Sequence, residues 1–163
     1  MHQSFRSLNH LLLTSFLIVL LASCAYTDKR SSGDGIAEDA GSFKYAAWRP
    51  ESSVEFDAIN VLLNEVDELI DNRAYNAAAD KLERVLRIKP EYAPAWSRLS
   101  WLALQTDSAK RSVQMAKRSN SFAFSNRELQ RLNWSFIRDA SNALNDQESF
   151  FRATQKIESL KAH

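Results

Sequence analysis

The chain has 163 residues, 25% of them charged, and a formal net charge of +1. No basic excess is present to meet nucleic-acid phosphates, and a single cysteine cannot build an internal disulfide framework. Three glycines and three prolines, beside plentiful Ala, Leu, Glu, Lys and Arg, point to an all-α protein.

The amino end reads MHQSFRSLNH, with Arg6 as its one firm charge, then LLLTSFLIVLLAS up to Cys24. A basic start, an apolar run short for a membrane-spanning helix and small residues before a cut site form an export signal over 1–23. Leu21-Ala22-Ser23-Cys24 resembles the lipobox of bacterial lipoproteins, in which the signal is removed and the cysteine acylated. That resemblance implies lipidation at Cys24 and a membrane attachment through the lipid. A signal anchor, or a secretory signal with an incidental cysteine, are the alternatives. Ala25 stands where lipoproteins kept at the inner membrane commonly carry Asp, which implies the outer membrane, periplasmic side. Removing residues 1–23 takes away Arg6 and no acid, so the remaining basic and acidic side chains are equal in number.

Residues 24–51 are expected to form the lipidated cysteine and a flexible tether, because Ala25 to Arg49 holds all three glycines and lacks a long apolar period. Phe43, Tyr45 and Trp48 exceed what a tether needs. Either they pack on the first helix or they belong to a docking surface.

The folded domain is expected over 52–163. Ser52-Ser53-Val54-Glu55 offers a capping box before a helix over about 54–71, whose stripe is Ile59, Leu62, Val66 and Leu69. Tyr75, Ala78, Ala79, Leu82, Val85 and Leu86 step by three and four and predict a second helix, ended by Lys89-Pro90. Pro94 suits the first turn of a third helix striped by Trp96, Leu99, Leu102 and Ala103. Thr106-Asp107 is a candidate cap for a short fourth helix over about 108–119, with Ala109, Val113 and Ala116 inward. Ser125-Asn126-Arg127-Glu128 is a second capping-box pattern, opening a helix over about 126–144. Asn145-Asp146 turns the chain into a last helix edged by Phe150, Thr154, Ile157 and Leu160. Six helices in three hairpins result.

The stretch from Asn72 to Gln105 resembles the tetratricopeptide repeat (TPR), a helix–turn–helix unit of about 34 residues. With Pro90 at the last motif position, Ala78, Leu82 and Val85 occupy the small and apolar positions of the second helix, and Trp96, Leu99 and Ser100 open the next unit. The first unit departs from the pattern, with Leu62 in place of the aromatic and Glu65 in place of Leu. The resemblance implies a right-handed TPR-like solenoid of about three hairpins, whose first helices line a concave partner-binding face. Carried over by position, that face comprises Asn60, Leu63, Asn64, Asp67, Ile70 and Asp71 in the first unit. The second unit supplies Ser97, Arg98, Trp101, Leu104 and Gln105, and the third Leu132, Ser135, Phe136, Asp139 and Asn142. Trp101 is the expected anchor, unless it is ordinary core. Leu63-Asn64-Asp67 and Ser97-Arg98-Trp101 do not reproduce the Lys/Asn carboxylate clamp of some TPRs.

Catalytic signals are sparse. His2 and His10 lie in the signal and His163 is the last residue; no His-x-x-His spacing, nucleophile elbow or phosphate-cradling loop is present. Asp67, Glu68 and Asp71 are expected as a solvated helix face rather than acid/base carboxylates. The expectation is a non-enzyme with no metal, cofactor, small-molecule substrate or nucleic acid. Lipobox, short tether and compact TPR, with the stretch Arg118 to Leu144, resemble LpoP-type lipoprotein activators of class A penicillin-binding proteins. This implies that the protein partner is such a peptidoglycan synthase. A pilotin-like scaffold for pilus or secretion complexes, and an envelope lipoprotein that binds peptidoglycan itself, are the competing readings.

Overall fold

The computed structural model describes residues 45, 48–50 and 54–161. Cys24, the signal, Phe43, most of the expected tether, Ser52 and His163 lie outside the described residues. The described chain is all-helical: α1 (Val54–Asp71), α2 (Tyr75–Ile88), α3 (Ala93–Gln105), α4 (Ala109–Phe122), α5 (Arg127–Ala143) and α6 (Gln147–Lys161), with no strand among the described residues. Each helix packs on the next in sequence, and α3 also packs on α5. They therefore form the hairpins α1–α2, α3–α4 and α5–α6.

The same turn closes the first helix of every hairpin. Arg73, Asp107 and Asn145 have φ of 56°, 53° and 56°, the left-handed region. At each, the residue's own N–H reaches back three residues (Ile70, Leu104, Asn142) and the following N–H reaches back five (Leu69, Ala103, Ser141). This is the Schellman pattern, which satisfies carbonyls a helix end leaves free. Arg73 and Asp107 are 34 residues apart, and Asp107 and Asn145 are 38. α2 and α4 have equal lengths of 14 residues, whereas α5 has 17 and α3 has 13. The extra four residues are thus one added turn of α5.

That register corrects the expected fourth helix, which runs to Phe122 instead of ending near 119. Its inward stripe is Ser112, Ala116 and Ser119, all fully buried, whereas Ala109 and Val113 are half-buried. These positions repeat Ala78, Leu82 and Val85 at the 34-residue spacing. The serines are tolerated because their hydroxyls are satisfied. The Ser112 hydroxyl pairs with Ser100 Oγ at 2.9 Å, and Ser119 Oγ donates to the Ala93 carbonyl at 2.8 Å. Small side chains there also let α4 approach α3 closely.

Two caps also move. Thr106 does not open α4; its Oγ1 donates to the Leu102 carbonyl at the end of α3, 3.0 Å away. The α5 cap is Asn126, not Ser125, since Asn126 Oδ1 accepts from the Leu129 N–H at 3.0 Å. α2 ends as expected. Lys89, held by Pro90, leaves helical geometry at φ −131°, ψ 87°. Helix α3 is the centre of the core, with ten of its thirteen residues buried.

Candidate protein-binding face

The first helices present the expected partner-binding residues unequally. Leu63, Ser97, Arg98, Trp101 and Ser135 are buried and are corrected from open-face to interior positions. Ile70, Leu132 and Phe136 are buried too. Trp101 is core: its ring stands edge-on to Tyr75 at 5.8 Å. Asn60, Asp67 and Asp139 are half-buried, and Asn64, Asp71, Gln105 and Asn142 are exposed.

At Ser97, Arg98 and Asp67 the chain's own Tyr45 and Arg49 take part in the covering. Tyr45 is 2% exposed, so packed positions begin ahead of the expected domain start at 52, and the tether cannot include this residue. The Tyr45 hydroxyl pairs with Ser97 Oγ at 2.8 Å, the Arg98 guanidinium lies over the Tyr45 ring at 5.0 Å, and Trp48 meets that ring edge-on at 5.5 Å. The Tyr92 hydroxyl donates to the Trp48 carbonyl at 2.6 Å. Arg49 donates to Asn64 Oδ1 at 2.7 Å and forms an ion pair with Asp67. Asp67 bridges, because its other oxygen pairs with the buried Arg98. One carboxylate between two guanidiniums joins α1, α3 and the segment ahead of them, and buried Arg98 needs that partner.

Burial also sets the titration of these groups. It pushes the Tyr45 hydroxyl well above its usual range, and the Tyr92 hydroxyl up to about 12. Asp139, beside Arg138, is raised because burial outweighs the attraction of that guanidinium. In consequence the part of the predicted face around Asp67, Ser97 and Arg98 is covered, with Asn60 Oδ1 and Arg98 Nε buried there without a hydrogen-bond partner.

What stays open lies at the carboxyl ends of the first helices. Asp71 and Gln105 end α1 and α3, and Asn142 lies in the last turn of α5. Between the α3–α4 turn and the end of α5 is a depression of about 640 Å³, with Leu104, Ala109, Lys110, Arg111, Ala143 and Leu144 among its walls. Leu144 is 39% exposed there. Sequence reasoning missed this depression, since it depends on how two turns meet rather than on one helix's period. It also missed Tyr45, Arg49 and Tyr92 as one cluster; the aromatic–x–x–aromatic–Arg spacing at 45–49 was the available signal.

Among the described residues no group of His, Cys, Asp and Glu could hold a metal ion, and no helix is long and apolar enough to cross a membrane. No known protein family, curated protein or solved structure matches the chain.

Proposed function

We propose that the protein is a non-catalytic, lipid-anchored adaptor whose TPR-like hairpins bind a protein partner in the bacterial envelope. On the resemblance described above, that partner is a class A penicillin-binding protein, which the adaptor activates from the periplasmic side of the outer membrane, attached through Cys24. The observation that carries this reading is the recurrence of one helix-ending turn at Arg73, Asp107 and Asn145, spaced 34 and 38 residues. A solenoid of the TPR kind repeats such a turn once per unit and gathers the ends of its first helices along one edge.

Because Tyr45 and Arg49 engage Asn60, Asn64, Asp67, Ser97 and Arg98, the proposed contact shifts to the edge bearing Asp71, Gln105, Asn142 and the depression walled by Leu104 and Leu144. The depression sets Lys110 and Arg111 beside Asp107, and Arg111 is already paired with Glu83 at 2.9 Å, so it suits a partner loop with an apolar tip and polar flanks.

The test is glycan polymerisation by a purified class A synthase with and without the adaptor. The expected result is saturable binding and a raised rate, both weakened by Leu144→Asp. Unchanged rates at saturating adaptor, or recovery of secretin or pilus proteins in place of a synthase from crosslinked envelopes, would contradict the proposal.

A further inference from the structure

We infer that the cleft between α4 and α6 is a second docking site, shaped for an acidic peptide segment with one bulky apolar side chain, presented by a protein partner. The inference rests on the reading of the chain as a protein-binding module, but it uses a different surface from the edge of turns. The cleft has a volume of about 500 Å³. α4 and α6 are both second helices of hairpins, and each packs on α5 between them. The α5 residues Trp134, half-buried, and Ile137, 2% exposed, lie between the two helices and furnish an apolar floor together with Val113.

The rim is cationic. Lys117 comes from α4, and Arg152 and Lys156 come from α6. On α6 the residues Ser149, Arg152, Lys156 and Ser159 step by three, four and three, so they form one stripe beside the buried Ala153 and Ile157. Arg152 has an exposed partner, Glu148, at 3.3 Å. Lys117 and Lys156 are exposed and make no ion pair among the described residues. The acids within electrostatic reach are few: Asp146, at the α5–α6 turn, senses Lys117, but its carboxyl is already held by the Ser149 N–H at 3.0 Å. α4 itself carries Lys110, Arg111, Lys117 and Arg118 and no acid.

Charge complementarity therefore selects the occupant. Two lysines without carboxylate partners and one arginine with an exposed one favour an acidic ligand, and the recessed Trp134 and Ile137 favour a ligand with an apolar anchor. On the polar wall Ser159 Oγ donates to the Lys156 carbonyl and Ser149 is engaged with Asp146 and Arg152, so Gln155, whose amide both donates and accepts, is the group suited to a peptide backbone.

The test uses the full chain in non-ionic detergent micelles and the fluorescein-labelled peptide Glu-Asp-Phe-Leu-Asp-Glu, read by anisotropy. The expected result is saturable binding that weakens with salt and is lost for a peptide in which Lys replaces every acid. Lys117→Glu with Lys156→Glu is expected to weaken binding about tenfold or more, and Lys117→Gln with Lys156→Gln to weaken it less; circular dichroism should show unchanged helicity in both. Absence of saturable binding, or equal binding by the charge-reversed chain, overturns the inference. So does complete displacement of the peptide by a low mole fraction of phosphatidylglycerol in the micelles, which would assign the cleft to lipid. Stimulation of the synthase by a chain that binds no acidic peptide removes this inference alone; peptide binding without stimulation removes the synthase reading alone.

Discussion

Asp67 shows how much a single residue does here. It lies on α1, yet it pairs with Arg98 of α3 and with Arg49 ahead of α1, so its carboxylate joins three parts of the chain. Around it Tyr45 and Tyr92 bury their hydroxyls, each in a hydrogen bond to a different segment. Burial disfavours phenolate, and this makes stability depend on alkaline pH. The unfolded chain releases a tyrosine proton near 10, while folded Tyr92 keeps its proton up to about 12. A raised folded pKa means the contribution is complete below 10 and is lost as pH rises through this window, by at most about 1.4 kcal/mol per pH unit. The Tyr92→Phe variant is therefore expected to be less stable than the parent by about 1 kcal/mol near neutrality. That gap should narrow steadily above about pH 10. Urea melts at successive pH values measure it. A gap that stays constant through this range would show that the Tyr92 hydroxyl is hydrated and the segment 45–50 is not seated.

At the scale of elements, the helix ends carry more information than the helix middles. Each first helix stops with a residue in the left-handed region, and at the first hairpin that residue is Arg73. Asp107 and Asn145 visit this region readily because their short polar side chains bond locally; a long side chain pays about 1 kcal/mol there. Arg73 is exposed, so its replacement removes no packing. Arg73→Gly is expected to stabilise the chain by about 0.5 kcal/mol, the relief of that cost less the added freedom of the unfolded chain. Thermal unfolding checks this, and a lowered midpoint would contradict the Schellman assignment.

The elements also show where sequence patterns mislead. Stripes of Leu, Val and Ala made α2 legible, as did the Lys89-Pro90 stop. The register of α4 differs from the expected stripe of Ala109, Val113 and Ala116 because Ser112 and Ser119, which no apolar stripe includes, are core residues with satisfied hydroxyls. A hydroxyl's partner is a tertiary fact that no local period contains. The same reason hid residues 45–50. Tyr45, Trp48 and Arg49 share helical spacing, but over a stretch too short to show a stripe, and their packing depends on Ser97, Tyr92, Asn64 and Asp67, as many as 52 positions away.

For the whole molecule, charge and shape divide by position along the helix stack. α1 carries six acids and no base, whereas α4 carries four bases and no acid. A chain nearly neutral in sum is thus polarised, which orients an approaching charged partner more than it strengthens binding. Tyr45 and Arg49 engage α3 and α1, while the depression and the cleft lie at the second and third hairpins. The number of helices and their pairing could be read from the sequence, but the open surfaces could not. Eight of the sixteen positions selected by repeat register (Leu63, Ile70, Ser97, Arg98, Trp101, Leu132, Ser135 and Phe136) are interior. Register specifies which way a residue points, not whether another segment already covers it. The central claim is that a synthase contacts the edge of turns. It is tested most directly by titrating the isotope-labelled chain with the unlabelled periplasmic part of a class A penicillin-binding protein and following backbone amide shifts. The account predicts saturable shifts at Asp71, Gln105, Asn142 and Leu144 with Tyr45 and Ser97 unmoved. Absence of shifts at saturation, or shifts centred on Tyr45 and Ser97, would contradict it.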